Sequence, residues 1–294
     1  MNIYRNWFLA SRPWSFSMTA ISVSVGSALA AIEGPFDWSL YLLALFAAVL
    51  LHAATNLIND YYDVLNGVDT AAVATAQYRP HPLVEGLLPA GQVLRVSYVL
   101  FALATVIGVY LTILCGPVVF WIGLVGLLAG IAYTAPPLKY KYVALGELSV
   151  FLMWGPLMVE GAYYIQRQSL SIQAFWISLP FGVLVALVLL ANNIRDIDHD
   201  RRRHIRTLAI VLGRRRGLMT YLALMVLAYV GMLALAAKLT LWLLIIFLSL
   251  PLAVQLLHQM SRAVPADADA RTARLDTAFG FLLVVSLLLE GLIG

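Results

Sequence analysis

Charge is what this sequence has least of. Of its 294 residues, 12% are Asp, Glu, Lys or Arg, about half of what a soluble globular domain carries. That shortage excludes an ordinary water-soluble domain. Cysteine is scarcer still, and the single Cys115 excludes both a disulfide framework and a cysteine metal cluster. No Ser/His/Asp or Cys/His arrangement is present to suggest a covalent nucleophile. The net charge of +4 and pI near 9.2 would suit a nucleic-acid partner in a soluble chain. In a chain this apolar, basic residues reflect membrane topology instead, so no nucleic acid is expected. Nothing in the sequence calls for an obligate protein partner.

Apolar residues fill the space that charge leaves. They make up 62% of the chain, with a mean hydropathy of +0.88. They come in blocks of roughly 18 to 23 residues, long enough to cross about 30 Å of hydrocarbon. Nine blocks can be drawn, at about 14–32, 38–62, 93–114, 117–135, 147–166, 173–195, 217–236, 240–259 and 276–293. The expectation is an all-α, polytopic membrane protein with nine transmembrane helices in a single domain over 1–294. The first block is too long for a signal-peptide core, and Arg12-Pro13-Trp14 stands just before it, so cleavage is not expected. Tryptophans 7, 14, 38, 121, 176 and 242 fall near block ends, where interfacial anchors belong.

Counting basic residues orients the chain. With nine spans, Arg5, Arg12, Arg79, Arg95, Lys139, Lys141, Arg195, the arginines of 201–206 and 214–216, Arg262, Arg271 and Arg274 share the side of the N-terminus. Only Arg167 and Lys238 fall opposite, a split of 17 to 2. The N-terminus is therefore expected in the cytoplasm and the C-terminus across the membrane, in a plasma or inner cell membrane. Arg201 to Arg203 and Arg214 to Arg216 suit topology and contact with anionic membrane lipids.

Two acidic stretches lie at cytoplasmic ends of blocks. The first is Asn56-Leu57-Ile58-Asn59-Asp60-Tyr61-Tyr62-Asp63, followed by Val64-Leu65-Asn66-Gly67-Val68-Asp69. Helical spacing sets Asn56, Asp60 and Asp63 on one stripe with Asn59 beside it. The second is Asn192-Asn193-Ile194-Arg195-Asp196-Ile197-Asp198-His199-Asp200, where Asn192, Asp196 and Asp200 recur every fourth residue. Either stretch alone reads equally as a solvated rim. Two of the same design on one side of the membrane read as a site. Carboxylates and carboxamides are hard oxygen ligands suited to Mg²⁺, which binds through one or two carboxylates plus substrate phosphates. Facing clusters therefore suggest Mg²⁺ ions bridging the protein to a diphosphate. Arg79, Lys139 and Arg206 stand near enough in sequence to neutralise the remaining phosphate oxygens. Tyr133 and Lys139 flank the Pro136-Pro137 turn that would close over them. His52 reads as a packed histidine. Glu160, inside the fifth block, reads equally as a functional group or a hydrogen-bonded structural one.

These segments resemble the intramembrane aromatic prenyltransferases of the UbiA superfamily. The family's Asn-Asp-x-x-Asp stands here as Asn59-Asp60-Tyr61-Tyr62-Asp63, and its Asp-x-x-x-Asp as Asp196 to Asp200. Within that superfamily the 1,4-dihydroxy-2-naphthoate polyprenyltransferases of menaquinone biosynthesis are most similar. The shared segments are Gly67-Val68-Asp69-Thr70, Tyr133-Thr134-Ala135-Pro136-Pro137-Leu138, Gly146-Glu147-Leu148, Asn192-Asn193-Ile194-Arg195-Asp196 and Arg206-Thr207-Leu208-Ala209. The resemblance implies a bundle around a central cavity, two Mg²⁺ ions, a polyprenyl diphosphate donor and an aromatic acceptor. Asp60, Asp63, Asp196 and Asp200 would hold metal with Asn56 and Asn192 in support, and Asn59 and Asn193 would join in binding the diphosphate or substrate. The family's third aspartate position is Gly67 here, and Asp69 would substitute from a turn. The segment Arg202-Arg203-His204-Ile205-Arg206 departs from that branch, which more often has a small residue and a Lys before the Arg. Two alternatives remain open: the same chemistry on another phenol, a chlorin, a haem or a lipid, and a cation-coupled transporter.

Overall fold

A computed structural model describes residues 3–70, 78–203 and 205–293. His204 lies outside them. The described residues form helices and turns with no strand, and one isolated backbone bridge pairs Val143 with Arg206. In chain order the helices are α1 (Ile3–Ala10), α2 (Phe16–Glu33), α3 (Trp38–Leu65), α4 (Ala90–Cys115) and α5 (Pro117–Ala132). Next come α6 (Gly146–Leu152), a π-turn (Met153–Leu157) and α7 (Met158–Arg167), which together make one span. After them run α8 (Ile172–Arg195), α9 (Ile197–Arg202), α10 (Leu208–Leu212) and α11 (Arg214–Lys238). A run of 3₁₀ turns (Leu241–Ser249) continues into α12 (Leu250–Arg262), and α13 (Ala268–Ile293) completes the bundle.

Eight of these segments are long and apolar enough to cross a membrane; six match blocks in the sequence closely, and α13 begins at Ala268, well before its block at 276–293. The eighth pairs the first block with α1, which precedes it across a short 3₁₀ turn. The block at 117–135 folds as α5, a helix of 16 residues. At 1.5 Å per residue it spans about 24 Å, short of a full hydrocarbon core.

Local chemistry sets several boundaries. Asp37 caps α3 by accepting from the backbone N–H of Ser39 (2.7 Å) and Leu40 (3.1 Å). Ser171 caps α8 through the Ala174 N–H. Glu160 accepts from the Ser171 N–H at 3.2 Å, a structural role at the turn between α7 and α8. Pro156 breaks the helical ladder at the π-turn, where Gly155 leaves helical geometry. The Trp154 carbonyl there accepts from the Ser22 hydroxyl of α2 at 2.7 Å. Gly155 faces Gly182 of α8, and a Cβ on Gly182 would lie 2.8 Å from the Gly155 Cα, so this approach requires glycine at 182.

The apolar core is uneven. Its main cluster joins α2, α8, α11, α12 and α13, with Phe181, Tyr221, Met225 and Phe279 fully buried. Around α3, α4 and α5 the buried residues break into smaller clusters, and a cavity of about 490 Å³ opens between the two regions. Leu103, Val106 and Ile113 of α4 point outward and are exposed, as lipid-facing residues are.

Candidate active site

The cavity is walled by α2 to α8 and is apolar through most of its depth. Val23, Ala44, Leu111, Val119 and Ile165 close its far end. Polar groups gather at the other end, where the two acidic stretches meet. Asp63 and Asp69 from the first and Asn192, Asn193, Asp196 and Asp200 from the second line one space. The His199 ring nitrogen lies 3.1 Å from the Val68 carbonyl, which ties the stretches together.

Each carboxylate has its own electrostatic surroundings. Asp60 (3% exposed) is off the cavity wall and accepts from Arg12, which lies on it. Asp63 (1% exposed) accepts from the Tyr142 hydroxyl and, at 2.5 Å, from Lys141 Nζ. Lys141 also donates to Asn59 Oδ1 at 3.0 Å; burial lowers the pKa of its ammonium, but Asp63, Tyr142 and Asp69 together outweigh that and leave it raised.

Asp69 reaches the cluster because α3 ends in a left-handed turn at Gly67 (φ 68°). The Val68 and Asp69 N–H groups then donate to the Asp63 carbonyl at 2.7 and 3.2 Å. His81 Nδ1 accepts from the Val84 N–H, so Nε2 carries the proton and donates to Asp69 Oδ2 at 3.2 Å. Burial pushes the Asp69 pKa up, but the His81 hydrogen bond and the nearby Arg12 and Lys141 charges outweigh it and leave it at about 2.

The helix expected through Asp200 breaks at Asp196, and α9 restarts one residue later. The turn still holds, because the Asp200 N–H donates to the Asp196 carbonyl at 2.9 Å. Arg195 clasps Asp196 with Nε at 2.8 Å and Nη2 at 2.6 Å, and reaches Asn192 Oδ1 at 2.7 Å. Among the described residues Asp200 has no such clasp. Burial and then the charges of Asp196, Asp63 and Asp69 push its pKa up to about 7 against the pull of Lys141.

The other expected residues divide into two groups. Asn56, which donates to the Ser11 carbonyl at 2.9 Å, lines the cavity with Asn59, Arg79, Tyr133 and Asn193. Asn193 is fixed by donating to Glu147 at 2.9 Å. Lys139 and Arg206 do not line it. Lys139 takes a left-handed conformation (φ 44°) after the Pro-Pro turn, and the 3₁₀ turn at Tyr140–Tyr142 carries Lys141 inward in its place. Arg206 is exposed and donates its backbone N–H to the Tyr142 carbonyl. The cation that the cavity holds here is thus Lys141, where the sequence pointed to Lys139. Sequence reasoning also missed Arg12, Arg195 and Asp269 as parts of the site. The one signal for Arg12 was its place beside Pro13 and Trp14 at a membrane edge.

The sequence profile of the UbiA prenyltransferase family matches residues 19–284. The 1,4-dihydroxy-2-naphthoate octaprenyltransferase of Bacillus subtilis (strain 168) is 33% identical over 292 residues, covering 95% of this chain and 91% of its own. UbiA prenyltransferase domain-containing protein 1 of Homo sapiens is 33% identical over 288 residues, covering 97% and 83%. Among solved structures, a UbiA homolog from Archaeoglobus fulgidus bound to GPP and Mg²⁺ aligns with a TM-score of 0.67 at 16% identity, over 95% of this chain and 99% of that one. The apo structure of a UbiA homolog from Aeropyrum pernix K1 gives 0.69 at 17%, over 93% and 97%. At such identities the two structures speak for the fold.

Proposed function

The chain belongs to the UbiA prenyltransferase family and is a prenyltransferase, and from that premise we propose that it moves a polyprenyl group from its diphosphate to 1,4-dihydroxy-2-naphthoate. The observation that carries this is the shape of the cavity, an apolar chamber whose polar end is ringed by two convergent acidic stretches and several fixed cations. An amphipathic donor with one long apolar chain and one diphosphate matches it. The B. subtilis relative, named for that acceptor and similar along nearly its full length, supports the choice of naphthoate. A cation-coupled transporter would place its carboxylates near the bilayer midplane, whereas these lie at helix ends.

The residues present suit Mg²⁺. Asp60, Asp63, Asp69, Asp196 and Asp200 offer only hard oxygen donors, the set that Mg²⁺ prefers. We assign two ions, one to each acidic stretch. When bound, Mg²⁺ stabilises the negative charge that gathers on the departing diphosphate. The chain's own groups do the rest. Lys141, Arg12 and Arg79 add fixed positive charge at the cavity mouth. His81 and Tyr142 hold Asp69 and Asp63 in place by hydrogen bonds. The apolar wall keeps water from the allylic cation when the carbon–oxygen bond breaks, and Tyr133 and Trp154 present aromatic rings to it. The electron-rich acceptor ring attacks that cation at the carbon bearing the carboxylate, and loss of CO₂ restores its aromaticity. The cluster opens to the cytoplasm in the orientation that the 17-to-2 charge split assigns.

Purified protein given Mg²⁺, a polyprenyl diphosphate and a panel of aromatic acceptors should release diphosphate and prenylate dihydroxynaphthoate fastest. A folded preparation that turns over none of the panel would refute the enzyme reading, and preference for another phenol would refute the acceptor alone.

A further inference from the structure

We propose that Asp269, in the first turn of α13, is a positioning residue that keeps Arg79 and Arg195 together at the diphosphate end of the cavity. The proposal rests on the prenyl diphosphate reading above. Asp269 is buried, 4% exposed, and lines the cavity. Its Oδ1 accepts from the Tyr78 hydroxyl and from Arg195 Nη1 at 2.6 Å, while its Oδ2 lies 3.2 Å from Arg79 Nη1. One carboxylate thus joins three segments far apart in sequence: residues 78–79, the end of α8, and α13.

The arrangement of charges shows why it is needed. The Tyr78 ring has the Arg79 guanidinium 5.3 Å from its centroid and the Arg195 guanidinium at 5.8 Å. Two like charges around one ring repel, and Asp269 is the counterion that both share. Arg195 is also committed on its other edge, where it clasps both carboxylate oxygens of Asp196. Fixing Arg195 at Asp269 therefore fixes the carboxylate plane of Asp196, a candidate metal ligand. Fixing Arg79, which also lies over Trp14 at 5.4 Å, keeps its charge over the cavity mouth. An acid in the first turn of a helix also favours that helix end. That role needs neither Tyr78 nor Arg79.

The test is the steady-state kinetics of Asp269→Asn, which keeps the shape and removes the charge. The KM for polyprenyl diphosphate should rise roughly tenfold or more, as losses of groups supporting metal ligands do. The KM for the aromatic acceptor should stay at the wild-type value, and Asp269→Glu should recover part of the loss. Because Asp269 acts partly through Arg79, adding Asp269→Asn to Arg79→Ala should cost less than the product of the two single effects. Unchanged donor KM, equal rises in both KM values, or full multiplicativity in the double variant would each overturn the proposal. If Asp269→Asn does not fold, Tyr78→Phe removes one donor to the same carboxylate. It should raise the donor KM alone by a smaller factor, and wild-type kinetics there would overturn the proposal too. Binding of a polyprenyl thiodiphosphate to wild-type protein in Mg²⁺ separates the two levels. Its absence refutes the prenyl diphosphate reading, whereas normal binding and turnover in both wild type and Asp269→Asn refute the role of Asp269 alone.

Discussion

Asp60 and Asp63 are almost completely withdrawn from solvent, yet each meets a cation of the protein itself, Arg12 and Lys141. Pairing of this kind lets carboxylates be held in a bundle before any substrate arrives, because an uncompensated buried charge is costly. Alanine at Asp60 or Asp196 should lower kcat by at least about a hundredfold, the scale of losing a preorganised charge-stabilising group. Near-wild-type turnover in both variants would remove them from the site. Among the described residues, Lys141→Met leaves Asp63 with the Tyr142 hydroxyl and no cation at hydrogen-bond distance. The Lys141 side chain is 18% exposed, so the cost should fall below the full penalty for breaking a buried pair, at about 2 kcal/mol. Thermal unfolding in detergent without Mg²⁺ would read it, and added Mg²⁺ should narrow the gap.

At the level of helices, irregularities rather than regular turns shape the site. The π-turn around Pro156 brings Met153, Trp154 and Leu157 to the cavity wall, and it is held by the touching backbones of Gly155 and Gly182. A side chain at Gly182 must push α8 away from that turn. Gly182→Ala should therefore destabilise the fold by about 1–3 kcal/mol, the usual cost of overpacking. It should also slow turnover by displacing Trp154, measurable as a lower melting temperature together with a lower kcat. Wild-type values for both would show that the close approach carries no weight. The left-handed turn at Gly67 and the break at Asp196 work in the same way, each redirecting an aspartate as its helix ends.

For the whole molecule, the cavity between a dense cluster on one side and smaller clusters on the other sets the room for the prenyl chain. Gly108 of α4 lines that space, and a Cβ there would meet no heavy atom within 4 Å. Gly108→Phe should fold normally and shift donor preference toward shorter chains, read as the ratio of kcat/KM between long and short polyprenyl diphosphates. An unchanged ratio would show that the chain does not run past Gly108.

Hydrophobic blocks too long for a water-soluble core are legible in any single sequence, so the membrane class and the helical fold needed no structure. Asp60, Asp63, Asp196 and Asp200 were legible for a related reason, since charge repeated at helical spacing stands out against an apolar background. Lys141 was not, because two lysines two residues apart differ only in which one the turn after Pro136-Pro137 sends inward. Neither were Arg12 and Asp269, whose partners lie 48 and 191 residues away. Local pattern determined what this protein is made of, because spacing and hydropathy act within a few helical turns. Which charges meet was decided by packing alone, because ion pairs and hydrogen bonds depend on distances that only the assembled bundle sets.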